Sequence, residues 1–287
     1  MADLKAVESR LDSAATLKNV VHAMRSQAAV YYRSAEEALV PIRAWGKRVR
    51  QALASAARRL DAIPQASSRG GREGVVVLSS DQGLCGAFND RILDFVLSKK
   101  AVENTDEAIF VAVGRRGADL MRLRSVEPVQ EEAAPTSLEG IHRAVQELAL
   151  EVLSIFESRH LSRLRLCHNR HRGPGRFEPV AETVLPLDLE GLIEGEEEPF
   201  PGRVAAVNLD PVRLVERLTR EHFFILLYGA AVESYASENG ARLAAMEAAM
   251  SNIEEKVAEL QGLRNTLRQE AITGEVIEIA SGAAAVS

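Results

Sequence analysis

Apolar and small residues recur along the first sixty positions at Leu4, Val7, Leu11, Ala14, Leu17, Val21, Met24, Ala28, Tyr31, Ala35, Ala38, Ile42, Trp45, Val49, Ala52 and Ala56. The steps alternate between three and four, with one doubled three near Leu17. That spacing predicts one long helix from about Asp3 to Ile63, carrying a coiled-coil seam with a single stammer. Pro41 lies inside it and removes one ladder hydrogen bond, so a kink or local break is expected there. Pro64 marks the end, and the Ser-, Gly- and Arg-rich stretch Ser67 to Gly74 reads as a flexible linker.

The last segment opens with Asp210-Pro211, an N-cap followed by proline at the first helical position. A second seam runs through Leu243, Met246, Met250, Ile253, Val257 and Leu260, then Leu267 and Ala271. At the usual rise per residue the two helices would reach about 90 and 110 Å. Stripes that long exceed what a compact core can bury, so they must pack against each other or against another protein.

Between them, positions 74–209 change period. Val75–Ser79, Ala108–Val113, Leu161–Asn169 and Arg176–Leu187 read as strands, the last two joined at Gly173-Pro174-Gly175. Helices are expected at Ala87–Ser98, from near Arg116, and over Leu138–Arg159. Strand and helix alternate early, which predicts an α/β unit with a mostly parallel sheet. Glu194 to Gly202 reads as an acidic, proline-bearing loop. The expected architecture is therefore α/β plus long coiled coil. It has an N-terminal helix over 1–63, a Rossmann-like α/β domain over 74–209, and a C-terminal helix over 210–287 that pairs antiparallel with the first.

Charge supports that pairing. Residues 1–63 hold 11 Lys/Arg against 6 Asp/Glu, and residues 211–287 hold 7 against 11, so the two ends carry opposite sign within a chain of net charge −6. No run approaches the about 20 apolar residues that cross a bilayer, and the N-terminus lacks an apolar signal core. Cys85 and Cys167 show no CxxC spacing and read as free thiols in a reducing compartment.

Candidate chemistry is sparse. The stretch Ser79 to Asn89, SSDQGLCGAFN, follows a strand and opens a helix, where a phosphate could sit. It lacks both the GxGxxG and GxxxxGK[ST] spacings, so its glycines read as serving a tight strand-to-helix turn. A nucleotide-binding enzyme built on 74–209 remains the rival reading, with Asp81 and Gly86 as its test positions. Cys85 reads as a small core residue. Cys167, His168 and His171 cluster, but the two histidines alternate across a strand and suit a shared metal poorly. An exposed basic hairpin with Arg170 and Arg172 is expected in its place. Neither a metal nor a cofactor is expected, and the acidic chain without interleaved aromatics does not suit nucleic acid.

Three separated blocks carry a family resemblance. Residues 10–24, RLDSAATLKNVVHAM, resemble R-I-x-S-V-x-N-T-x-x-I-T-K-A-M. Residues 80–89 resemble S-D-R-G-L-C-G-G-x-N. Residues 237–246, SENGARLAAM, resemble S-E-x-x-A-R-M-x-A-M, and 265–275 and 278–283 resemble N-x-x-R-Q-x-x-I-T-x-E and E-I-x-x-G-A. These are motifs of the gamma subunit family of F-type ATP synthases, and the resemblance runs end to end.

The resemblance implies a central rotor shaft that carries torque between a membrane c-ring and a catalytic head of alpha and beta subunits, with epsilon beside the α/β foot. It implies no catalytic residue in this chain, no direct membrane insertion, and a peripheral place on the cytoplasmic face of a bacterial inner membrane. Rotor–stator contacts are carried over to Met24, Arg242, Arg268, Gln269, Thr273 and Glu275. Arg268 and Gln269 are the expected hydrogen-bonding contact to a beta loop, and Met24 the bearing surface. Departures at Thr16-Leu17, Val21-His22 and Gln82 point to a divergent or sodium-type variant. A non-rotary coiled-coil scaffold with an α/β head is the alternative.

Overall fold

A computed structural model describes residues 2–62, 71–98, 102, 107–196 and 210–286. The first half of the linker expected at Ser67 to Gly74 lies outside the described residues and its last two residues belong to a strand; most of the acidic loop, after Glu196, also lies outside them. The chain divides into two units, residues 1–28 with 243–287, and residues 29–242.

Helix α1 spans Ala2–Ala57, 56 residues, and α6 spans Pro211–Val286, 76 residues. Asp3 places an acid in the first turn of α1, where the dipole favours it. The helix stops six residues short of Ile63, tightening through Arg59 N–H to Ala56 O and Leu60 N–H to Ala57 O, each 3.1 Å. Pro41 does not interrupt α1, contrary to the expected break. Both Pro41 and Glu37, whose carbonyl loses its partner, are exposed, so water can satisfy that oxygen.

The seam of α1 also differs from the expected one. Buried and half-buried positions follow Leu4, Leu11, Arg25, Tyr32, Leu39, Gly46 and Leu53 together with Val7, Ala14, Val21, Ala28, Ala35, Ile42, Val49 and Ala56. The line from Val7 to Ala56 keeps a period of seven with no stammer, and the line from Leu4 to Leu53 keeps the same spacing with the exposed Lys18 standing between Leu11 and Arg25. Leu17 is 52 % exposed and Trp45 48 %, and Ala52 is exposed as well. The seam position beside Leu17 belongs to Lys18, and the one beside Met24 to Arg25. A reading guided by apolarity therefore keeps the line from Val21 to Ala56 and sets the other one residue early, where Met24, Tyr31 and Ala38 are themselves half-buried.

Within residues 29–242 a five-stranded sheet has the order β3-β2-β1-β4-β5, formed by β1 (Glu73–Leu78), β2 (Ile109–Val113), β3 (Gln130–Glu132), β4 (Arg163–Gly173) and β5 (Arg176–Leu185). The first four run parallel and β5 is antiparallel to β4. Strands β1 and β2 are buried on both faces, as near-continuous apolar runs in parallel sheets are. On one face Val75, Val77, Phe110, Ala112 and Cys167 meet α2 (Phe88–Val96) and α3 (Arg115–Leu123). On the other, Val76, Leu78, Val111, Val113, Leu164 and Leu166 meet α4 (Leu138–Ser158) and the middle stretches of α1 and α6, with Ala35, Leu39, Phe223 and Leu227 in the core.

Two elements were not expected. β3 is Gln-Glu-Glu and carries no apolar signal. The short α5 (Leu189–Gly195) is capped by Asp188, whose Oδ1 accepts from Gly191 N–H at 2.9 Å. Its Leu189 joins Leu53, Ala57 and Val215 in a small core where α1 ends and α6 begins.

Residues 1–28 and 243–287 have a narrower core. Val21, Met246, Met250 and Ile253 are buried, flanked by Met24, Ala245, Ala249 and Val257. Beside it Lys18 Nζ lies 2.9 Å from Glu254 Oε1.

Candidate functional site

The end of β1 is fixed by an unusually close approach. Ser79 donates from its backbone N–H to Val113 O at 2.8 Å and from Oγ to the same oxygen at 2.6 Å. α3 begins directly against this serine. A Cβ on Gly117 would stand 1.9 Å from Ser79 Oγ, and one on Gly114, at φ 108°, 2.6 Å from Ser79 O. Only glycine fits either position.

The turn that follows folds back on itself. Ser80 N–H donates to Asn89 Oδ1 at 3.0 Å, and Asn89 Nδ2 donates to Ser80 Oγ at 2.8 Å. Asp81 Oδ1 accepts from Arg115 N–H at 3.1 Å and Ala134 N–H at 2.9 Å, while Oδ2 accepts from Arg115 Nε at 3.1 Å. The chain's own carboxylate thus takes the α3 N-terminal amide, and Asn89 takes the amide of Ser80. The rival nucleotide reading loses two donors on which a phosphate would rest.

The sequence block 237–246 meets this turn. Arg242 Nη2 donates to Glu238 Oε1 at 2.7 Å and to Gly83 O at 3.4 Å, and Nη1 to Asn239 Oδ1 at 3.3 Å. Ser237 Oγ donates to Asn169 O at 3.0 Å, and Asn169 Nδ2 to Phe88 O at 2.9 Å. Cys85, Phe88 and Ala241 pack together against Phe177. A Cβ on Gly240 would sit 3.2 Å from both Gly175 N and the Tyr32 ring, so backbone approaches backbone there. Burial pushes the Glu238 carboxyl above its ordinary value, and the adjacent Arg242 only partly opposes it. Burial likewise raises the Cys85 thiol, which leaves it protonated and weakly nucleophilic. This is a buried polar lock between α6 and the sheet, suited to holding geometry, in which Asn169 Oδ1 and Arg242 Nε are left without a hydrogen-bond partner among the described residues.

The histidine cluster is not an exposed hairpin. His168 and His171 are 2 % and 8 % exposed. They meet different carboxylates on different helices: His168 Nε2 lies 3.2 Å from Glu233 Oε2, and His171 Nε2 3.6 Å from Glu36 Oε1. Arg170 and Arg172 are tied to Glu182 and Glu178. Glu36 and Glu233 lie far away in sequence, so residues 163–176 alone could not reveal the partners of the histidines.

Of the residues carried over by resemblance, Met24 is half-buried in the Val21–Met246–Met250–Ile253 cluster. Arg242 is 9 % exposed and bonded within residues 29–242. Arg268, Gln269 and Thr273 are exposed on α6, with Thr273 Oγ1 donating to Gln269 O at 2.9 Å. Glu275 lies in α6, and its side chain is outside the described residues. Asn89, Asn169, Glu233 and Asp81 were missed as structural keys. Asp81 and Asn89 stood inside a quoted motif, whereas Asn169 and Glu233 carry no local signal.

The class defined by these features is an α/β body inserted between two very long terminal helices and locked to them by buried polar contacts. The family model described as ATP synthase matches residues 3–286. The ATP synthase gamma chain of Bdellovibrio bacteriovorus is 30 % identical over 298 residues, covering 100 % of this chain and 99 % of that one. The gamma chain of Trichormus variabilis is 31 % identical over 320 residues, with full coverage of both. A chain in the Euglena gracilis mitochondrial ATP synthase structure (OSCP/F1/c-ring, rotational state 3) superimposes with a TM-score of 0.71 at 19 % identity, over 99 % of this chain and 95 % of that one. The chain belongs to the ATP synthase gamma chain family.

Proposed function

We propose that this chain is the central rotor shaft of an F-type ATP synthase, transmitting torque between a membrane c-ring and an alpha/beta catalytic head. The observation that carries the reading is the pairing of α1 with α6 in opposite directions. Within residues 29–242, Tyr32 lies against Gly240, Ile42 against Gly229, Arg43 against Glu233 and Trp45 against Glu221. From Tyr32 to Trp45 along α1 the partners run back from Gly240 to Glu221 along α6. Together with the period of seven from Val7 to Ala56 in α1, this supports an antiparallel coiled coil. Two helices in such a pair resist twisting better than one, which is what a torque-bearing shaft requires.

In this reading residues 1–63 and 210–287 form the shaft, and the body over 74–209 meets the c-ring and epsilon. The chain does no bond chemistry of its own, and catalysis resides in the head. The exposed Arg268 and Gln269 suit hydrogen bonding to a beta subunit, with Thr273 and Glu275 on the same helix, and Met24 is the bearing position. Arg242, buried and internally bonded, serves as the anchor of the shaft in the body; its proposed contact with the stator gives way to this role. Among the described residues no helix is long and apolar enough to cross a membrane. In this reading the complex sits peripherally, on the cytoplasmic face of the inner membrane. A shaft drives its surroundings only where its faces contact each conformation of the head differently.

The test is to co-express tagged chain with its alpha and beta subunits and watch a probe on the body during ATP hydrolysis. Stepwise rotation is expected. Purification without any nucleotide-hydrolysing partner, or a stationary probe on an active complex, would overturn the reading.

A further inference from the structure

Glu233 of α6 holds three elements at one point. Its Oε1 accepts from Arg43 of α1 through both Nη2, at 2.8 Å, and Nε, at 3.2 Å. Its Oε2 lies 3.2 Å from Nε2 of His168 and 3.8 Å from Nε of Arg170, both on β4. The carboxylate side chain is 13 % exposed and the His168 side chain 2 %. Arg170 is tied in turn to Glu182 of β5, so the contact continues across the sheet to its edge strand. No other carboxylate described above joins both terminal helices to the sheet.

The surroundings make this contact distinctive. Ile42 near Gly229 at 3.7 Å and Tyr31 near Tyr235 at 6.1 Å between ring centroids are apolar or small α1–α6 contacts, and the bond from Trp45 Nε1 to Glu221 Oε1 at 3.2 Å joins the two helices only. Apolar contact is non-directional and tolerates sliding along or around a helix axis. A charge-assisted hydrogen bond is directional, and a guanidinium fork adds geometric specificity. Under torsional load, packed helices can therefore slip a little while keeping their buried area, whereas a carboxylate bonded on both oxygens resists displacement along either direction.

We propose that Glu233 is the positioning residue that transfers torque from the sheet to both shaft helices together, acting through Arg43 and His168. The proposal rests on the shaft reading and deepens it. Glu233 fixes the azimuth of α6 against β4 through one oxygen and the azimuth of α1 against α6 through the other. Its loss leaves the helices packed but less stiffly joined to the body, so that part of each rotational step is dissipated as slip.

The experiment uses the whole membrane-bound complex carrying Glu233→Ala, Glu233→Gln or Arg43→Ala. Arg43 is 54 % exposed, so its removal deletes only the α1 arm and spares the core should Glu233→Ala assemble poorly. ATP hydrolysis and ATP-driven ion pumping are measured on the same vesicles. Glu233→Ala is expected to lower ions pumped per ATP hydrolysed by about threefold, the low end of coupling within one hydrogen-bonded network. Arg43→Ala should move the same ratio less, and Glu233→Gln, which keeps an acceptor, least. A merely structural role would lower assembly and both activities in proportion. An unchanged ratio in all three variants overturns the proposal. If complexes lacking this chain pump as well as complete ones, the shaft reading fails instead, which is a different outcome of the same assay.

Discussion

The same two helices bury themselves in two ways. Within residues 29–242, α1 and α6 give Ala35, Leu39, Phe223, Leu227, Ala230 and Tyr235 to a core shared with a sheet and with α4. Within residues 1–28 and 243–287 they have only each other, and the core shrinks to Val21, Met246, Met250 and Ile253 with half-buried flanks. Beyond Leu260, Leu267 and Ala271 are only half-buried. A helix face that meets a sheet gains neighbours on several sides, whereas a two-helix seam is open to water along both rims. Stability should therefore be unevenly distributed, with the seam opening at lower free energy than the body.

The largest effect should come from the body. Leu227 is 1 % exposed, and Leu227→Ala should cost about 2–5 kcal/mol, read as a fall in the urea midpoint for loss of the sheet signal. Gly117→Ala should come next, at about 3 kcal/mol, because the new methyl must displace Ser79 from its bond to Val113. Met246→Ala, in the narrow seam, should cost about 2 kcal/mol, since a flexible side chain between two helices lets the gap partly close. Hydrogen exchange should show amides of 1–28 and 243–286 exchanging faster in Met246→Ala while β1 and β2 stay protected. Equal loss of protection in β1 would mean that the two regions unfold as one and would erase the contrast.

The contrast also explains what could be read from the sequence. Runs such as Val75–Leu78 and Ile109–Val113 announce buried strands because both faces of each strand are covered. β3 could not be foreseen, since its Gln-Glu-Glu carries no apolar pattern and is held by backbone pairing to β2 and by Arg122 of α3 on Glu131. The seam of α1 was legible in period and in the line from Val21 to Ala56, while its other line was set one residue early, because Lys18 and Arg25 occupy positions that apolarity alone would refuse. At the site, the blocks 80–89 and 237–246 stood out as motifs, yet the bond from Arg242 to Gly83 O joins residues 159 apart. Glu233 was invisible for the same reason, as its three partners come from α1 and β4. Local pattern reports which face is buried; only the fold reports what faces it.

Smaller effects separate two carboxylates on α6. Burial raises both Glu233 and Glu238, but hydrogen bonds from His168 and Arg43 outweigh it at Glu233, which ends below its ordinary 4.5. Glu238 ends above that value. A depressed carboxylate stabilises the fold above its unfolded value and loses that contribution as pH falls through the folded value. A raised one acts oppositely, weakening the fold as pH rises from the unfolded to the folded value. Glu233→Gln should therefore flatten the acid limb of the stability profile below about pH 4.5. Glu238→Gln should remove a decline that begins near that pH and continues upward. Urea midpoints across pH 3 to 7 distinguish them, and identical profiles for the two variants would contradict the assigned environments.

The smallest effect belongs to the seam's own charges. Lys18 holds a position that the heptad assigns to the buried stripe, yet it and Glu254 are 46 % and 57 % exposed. Arg25 also lies close enough to help depress the Glu254 carboxyl, after the hydrogen bond and charge of Lys18. Exposed pairs add little to stability because water screens them and ordering two long side chains costs entropy. A polar seam position acts instead on register, since any axial slip moves the charge away from its partner. Lys18→Glu should hence leave the urea midpoint almost unchanged while weakening the alignment of Val21 with Met246 and Met250. Cysteine pairs placed across that layer should crosslink in one register in the parent chain and in several in Lys18→Glu. Adding Glu254→Lys should restore the single register at low salt and lose it again at high salt. A single register in every variant would show that the apolar layer alone sets the alignment, and that the narrow seam is better specified than its thin burial implies.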